Sequence, residues 1–230
     1  LGLVGSEMCI RDSIITGFPG PIILALLLNE LRSRHYKNTL QVIYTFPNFL
    51  SWVIVGGLMT TIFAGEGVIN SLIRASGGQT YGFLTDKSLI RPLLYATSIW
   101  KGTGWSAILY LAGIAGISPE LYEAAEVDGA NRFQCIRHIT IPGLMPTYMV
   151  MLLMAIAGML SNGMEQYLVF ENPQNSATIE VLDLYVYHSG IKSGLIPLST
   201  VVGVFKSLIG VLLLFGANGI SKGVRGESII

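Results

Sequence analysis

Apolar residues run along this chain in long blocks bounded by charge. Four blocks reach the length of about 20 mostly apolar residues that a helix needs to cross a bilayer. They are Gln41 to Phe63, Pro92 to Ile117, Gly143 to Gly163, and Leu198 to Ala217. A fifth, Ile14 to Leu28 (IITGFPGPIILALLL), stops sharply at Asn29 and Glu30 and is about five residues short of a full span. The pattern predicts an all-α integral membrane protein, a polytopic bundle of transmembrane helices.

Between the blocks lie NELRSRHYKNTL, a loop from Ala64 to Arg91, an insert at 118 to 142, a loop from Met164 to Pro197, and the tail NGISKGVRGESII. Alternating sides places Arg32, Arg34, Lys37, Arg132, Arg137, Lys222 and Arg225 together, against Arg74, Lys87, Arg91 and Lys192. Lys and Arg collect on the cytoplasmic side, so the first set and the insert are expected there. In the loop at 164 to 197, TIEVLDLYVYHSG places Val181, Leu184 and His188 near helical spacing beside Tyr185 and Tyr187. An interfacial helix is expected, because Tyr sits well at headgroup level.

Composition agrees: mean hydropathy is +0.60 and only 12% of residues are charged, against roughly 25% in soluble domains. Formal net charge is zero, so no basic field is available to hold nucleic acid. Cys9 and Cys135 match no metal or redox spacing, and His35, His138 and His188 sit in separate loops. No Gly-Lys pair occurs in the chain, which excludes a phosphate-binding P-loop. No catalytic residue, cofactor or metal is expected, and the protein is read as no enzyme. Residues 1 to 13, LGLVGSEMCIRDS, resemble translated sequencing-adaptor read-through. They are read as a non-native leader, with a membrane domain at 14 to 222 and a cytoplasmic tail at 223 to 230.

The insert, SPELYEAAEVDGANRFQCIRHITIP, carries its own punctuation. Ser118, Pro119 and Glu120 form a helix start, and Gly129 suits a left-handed helix end. Asn131 can cap a second helix that is expected to stop by Pro142. On it Phe133, Ile136 and either Ile139 or Thr140 share an apolar face that, with Leu121, needs covering. Amphipathicity alone leaves an ordinary surface hairpin as an equal reading.

The spacing of Glu123-Ala124-Ala125, Gly129, Ile139 and Pro142 reproduces E-A-A-x(3)-G-x(9)-I-x-L-P, with Ile141 in place of Leu. This resembles the signature loop of binding-protein-dependent ABC transporter permeases, the MetI-like superfamily. YEAAEVDGANR, IRHITIPGLMPT, GFPGPIILALLLNE, PNFLSWVIVGGL and WKGTGW resemble its carbohydrate importer branch, particularly polysaccharide permeases of the LplB type. The resemblance implies a coupling helix that docks in a cleft of a cytoplasmic ATPase subunit. Glu123 would make the polar contact, Ala124 and Ala125 would permit close approach, and Gly129 would set the turn, with Asp128, Ile139 and Pro142 completing the loop. It further implies a second permease subunit, an extracytoplasmic solute-binding protein, an oligosaccharide substrate and a bacterial cell membrane location. The family usually has six spans, so the five counted here, the first of them shortened, imply an N-terminal truncation that leaves out the family's first helix.

Ionisable groups inside spans default to functional hypotheses. Lys101 lies between Trp100 and Trp105, and Lys206 lies in the last span. Aromatic faces suit sugar rings while polar groups take the hydroxyls. A substrate path lined by Lys101, Trp105 and Lys206, with Asn48 and Asn162 as hydroxyl partners, would favour acidic sugars. Equally open is that each lysine pairs with a carboxylate such as Glu165 or reaches the interface. Gly102 and Gly104 either admit a close helix or loosen their own. Rival functions are a permease of the same superfamily for amino acids or peptides, and a secondary carrier. Carriers often show repeats, and none is present. A membrane-embedded enzyme would need a nucleophile and base constellation that the residues do not offer.

Overall fold

The computed structural model describes residues 17–225 apart from Met159 and Asn162, with side chains given up to residue 219. The leader at 1 to 13 and the first residues of the fifth block lie outside the described residues. Among those described, every regular element is helical. In chain order these are α1 (Pro19–Asn29), α2 (Arg34–Thr45), α3 (Trp52–Phe63), α4 (Val68–Ala75), α5 (Ile90–Ala115), α6 (Pro119–Val127), α7 (Arg132–Ala157), α8 (Met164–Phe170), α9 (Ser176–Ile179), α10 (Leu182–Tyr187) and α11 (Ile196–Arg225). Among the described residues three stretches are long and apolar enough to cross a membrane: Trp52–Ala75, Arg132–Ala157 and Ile196–Gly219. α5, with 26 residues, is about 39 Å long at 1.5 Å per residue. Thr97, Ser98, Lys101 and Thr103 make its middle more polar than those three.

Three segments differ from the sequence reading. The block Gln41 to Phe63 is two helices, not one, because a 3₁₀ turn at Phe46–Phe49 ends α2. Pro47 lacks an N–H, so the α-helical ladder of α2 loses its next bond there. Ser51 then restarts the chain as α3, its Oγ accepting from the Ile54 N–H at 3.3 Å.

The helix after Asn131 does not stop at Pro142 either. It widens into a π turn over Ile136–Thr140, where the Ile141 N–H reaches the Ile136 carbonyl, and continues as α-helix to Ala157. The wide turn resets the ladder, so Pro142 falls where a first-turn proline has no intrahelical bond to lose. The segment read as one interfacial helix is α9, α10 and a π turn at His188–Lys192, folded against α8 around a shared core.

Internal contacts divide the chain into two units. One holds Phe49–Trp100 and Gly158–Val211; the other holds the described residues up to Asn48, Lys101–Ala157 and those from Leu212. The four Lys and Arg residues predicted outside the cell belong to the first unit, and the seven predicted inside belong to the second.

The first unit buries Ile90, Leu94, Tyr167, Phe170, Ile179, Val181 and Leu184 in one cluster. Its loops are pinned by two fully buried asparagines. Asn70 Nδ2 donates to the Ala64 and Tyr81 carbonyls while its Oδ1 accepts from the Tyr81 N–H. Asn175 Nδ2 donates to the Leu84 and Phe170 carbonyls, and its Oδ1 accepts from the Asn172 N–H. Gln166 donates to the Leu94 carbonyl and Arg91 to the Thr178 carbonyl. On the exposed loop before α5, the Ser88 hydroxyl and N–H both donate to Asp86, holding its carboxyl below the usual carboxylate value.

The second unit buries Ala25, Ala107, Tyr110, Ile114 and Leu144. Here α2 meets α5 backbone to backbone: a Cβ on Gly104 would stand 1.9 Å from the Tyr44 carbonyl oxygen. Only glycine fits that approach. Gly102 has open space around it.

Candidate functional site

The hairpin of α6 and the start of α7 lies wholly within the second unit. Pro119 opens α6 with Glu120 in the first turn, and the Ser118 side chain makes no cap hydrogen bond, contrary to the sequence reading. The end of α6 follows the residue types. Gly129 has φ +79°, which L side chains avoid. Its N–H donates to the Glu126 carbonyl at 3.1 Å, and the Ala130 N–H donates to the Ala125 carbonyl at 2.9 Å. These two bonds are a Schellman closure. Two residues on, Asn131 Oδ1 accepts from the Gln134 N–H at 3.0 Å and the Asn131 N–H donates to Gln134 Oε1 at 2.7 Å. This reciprocal box satisfies the first turn of α7. Both helix ends at the turn are therefore closed by local bonds, and the turn is stiff.

Two side-chain links hold the hairpin. The Tyr122 and Thr140 hydroxyls lie 2.9 Å apart. Arg132 pairs with Glu30 at the end of α1 at 3.3 Å, with both groups well exposed, so this bridge adds little. Neither link was read from the sequence; a hydroxyl on an otherwise apolar face, Thr140, was the available signal.

The expected apolar face is covered only in part. Thr140 is buried and Ile136 and Ile139 are half-buried, but Leu121 is 53% exposed, Val127 88% and Phe133 69%. Glu123, Ala124, Asp128, Gly129 and Pro142 are exposed and Ala125 is half-buried. Beside them opens a groove of about 720 Å³ whose lining includes Glu30, Arg32, Glu123, Glu126, Arg132 and Ile136. Stiff backbone, bare apolar side chains and a charged groove make a surface suited to holding another protein.

The candidate path residues are distributed between the units. Lys101 Nζ donates to the Asn48 carbonyl at 2.8 Å, and Trp105 follows one helical turn later with its ring half exposed. Lys206 belongs to the other unit, where it pairs with Asp183 of α10. The Asn48 group that meets Lys101 is thus its carbonyl. The carboxylate partner that was one of two open readings for the lysines is Asp183 for Lys206, not Glu165. Asp183, the lone acid among apolar and tyrosine neighbours in LDLYVY, was the missed signal. Asn162 lies outside the described residues. Among the described residues no group of three or more His, Cys, Asp and Glu side chains could hold a metal.

A family model described as binding-protein-dependent transport system inner membrane component matches residues 17–226. Protein LplB of Bacillus subtilis (strain 168) is 44% identical over 217 residues, which is 94% of this chain and 68% of that protein. The polygalacturonan/rhamnogalacturonan transport system permease protein YteP of the same organism is 41% identical over 213 residues, 92% of this chain and 66% of that protein. The chain therefore spans about two-thirds of the length of these curated relatives. The crystal structure of a bacterial ABC transporter involved in the import of the acidic polysaccharide alginate superposes with TM-score 0.92 at 34% identity, over 97% of this chain and 79% of that chain.

Proposed function

Because the chain belongs to the family of binding-protein-dependent transport system inner membrane components, we propose that it is the permease subunit of an ATP-driven importer of acidic oligosaccharides. It sits in a bacterial cell membrane as a multi-pass protein with the α6–α7 hairpin in the cytoplasm. Cytoplasmic ATPase subunits supply the hydrolysis, a second permease completes the path, and an extracytoplasmic binding protein delivers the sugar. The permease makes and breaks no bonds. Closure of the ATPase pair moves the hairpin, the path opens outward, and hydrolysis resets it.

The observation that carries this reading is the contrast within the hairpin between a closed backbone and uncovered Leu121, Val127 and Phe133. A face of that kind on a rigid turn has the makings of a dock. Polygalacturonan in the name of one relative and alginate in the description of the solved structure support an acidic substrate. With Lys206 matched by Asp183, Lys101 with Trp105 is the element that would favour uronates.

The test is co-purification of the full-length permease with its neighbouring subunits. The ATPase comes down with wild type and is lost with Glu123→Lys or Gly129→Pro while the permease remains inserted and folded. Equal recovery with all three would remove the hairpin from the docking role.

A further inference from the structure

Docking and transmission are separate tasks, and the hairpin assigns them to different atoms. The exposed side chains of α6 and the first turn of α7 face outward. Movement imposed there reaches the α7 span through the π turn at Ile136–Thr140, which precedes the two prolines of α7, Pro142 and Pro146. A π turn is a weak point in a helix and is frequently functional. Two side chains stabilise this one. His138 Nδ1 lies 3.1 Å from the Gln134 carbonyl, and the Thr140 hydroxyl donates to the Cys135 carbonyl at 3.5 Å.

With its proton directed to Cys135, Thr140 Oγ1 is left to accept from Tyr122 Oη at 2.9 Å. A chain of two hydrogen bonds thus runs from α6 into the backbone of the π turn. It is the only side-chain hydrogen bond between α6 and α7 among the described residues. Thr140 is 2% exposed, so the contact is sheltered from competing water. The Gly129 turn lies at the other end of α6, so Tyr122 and the turn together make α6 a strut held at two points.

We propose that Tyr122 and Thr140 are positioning residues that pass movement of the docked hairpin into the α7 span, acting after the ATPase has bound. The proposal rests on the docking reading above. If it holds, loss of the hydroxyl pair leaves the complex assembled but poorly geared: ATP is spent without matching movement of sugar.

The experiment uses the full-length permease with its ATPase, second permease and binding protein in proteoliposomes, measuring ATP hydrolysed and oligosaccharide taken up in the same vesicles. With Tyr122→Phe the ATPase is recovered as with wild type, and sugar moved per ATP falls roughly fivefold, in keeping with loss of one sheltered hydrogen bond. Thr140→Val reproduces the defect, and Thr140→Ser, which keeps the hydroxyl, restores it. A merely structural role would lower the yield of the complex and leave sugar per ATP unchanged. Wild-type sugar per ATP in Tyr122→Phe and Thr140→Val overturns the proposal alone. Retention of the ATPase by Glu123→Lys overturns the docking reading and the proposal with it.

Discussion

The unit around Tyr167 and Phe170 and the unit carrying the hairpin place their polar bonds differently. In the first, Asn70, Asn175, Gln166 and Arg91 take up loop and helix carbonyls, and a lysine in the last span meets its own carboxylate. Those bonds join segments far apart in sequence, while Phe49, Val53, Val204 and Phe205 of the same unit stay exposed. In the second, local bonds close the turn at Gly129 and Asn131, yet Leu121, Val127 and Phe133 remain bare around a charged groove. In the docking reading proposed above, that bare face is what another subunit would finish, and the difference separates residues that hold the fold from residues that would work outside it.

The sharpest way to break the comparison is Asn175→Ala. It strips the partners from the Phe170 carbonyl and the Asn172 N–H in a fully buried setting and leaves the Leu84 carbonyl with Asn172 Nδ2 alone. Each buried group left unpaired costs about 1–3 kcal/mol, so a loss of about 4 kcal/mol is expected, read as a lowered midpoint of thermal unfolding in detergent. A midpoint equal to wild type would mean the loops are not pinned this way.

The two lysines sharpen the comparison next. Lys206→Met leaves Asp183 unpaired in a largely buried position and is expected to cost about 3 kcal/mol, with Asp183→Asn added in the same chain recovering most of it. Lys101→Met removes the bond to the Asn48 carbonyl, is expected to cost about 1 kcal/mol, and reduces uptake of acidic oligosaccharides relative to neutral ones. A matching preference in both would remove Lys101 from selection. The smallest effect is that of Phe133→Ser. Folding of the isolated permease is unchanged because the ring is exposed, while recovery of the ATPase falls roughly tenfold, as for a buried aromatic contact at an interface. Full recovery would show that the bare face is not the dock.

Much of the hairpin was legible because its residues act locally. Gly129 and Asn131 do in the structure what their chemistry allows within four residues of chain. The parts that were not legible depend on distant partners or on ladder register. Pro142 reads as a stop, but a π turn ahead of it supplies the register in which proline is tolerated. Pro47 was visible inside a greasy block and yet was outweighed there by length and hydropathy. That Lys206 pairs with a carboxylate was one open reading, but which carboxylate was not legible, because Asp183 lies 23 residues upstream across a loop whose fold the spacing of tyrosines could not convey. Apolar residues at 133 and 121 read as a face that needs covering, and periodicity does not report what covers it.

The π turn also acts as a phase setting. An α-helix advances about 100° per residue, so the extra residue taken up by the wider turn moves the buried face of α7 one place along the sequence without turning the helix beyond it. Deleting a single residue between 136 and 140 would let the ladder return to ordinary α-helix with Leu144 and Leu153 still on their buried side, whereas straightening the turn at full length would swing both leucines by about 100°. The side of α7 that meets its neighbours is thus chosen by a five-residue stretch at the membrane edge, before the first buried leucine is reached.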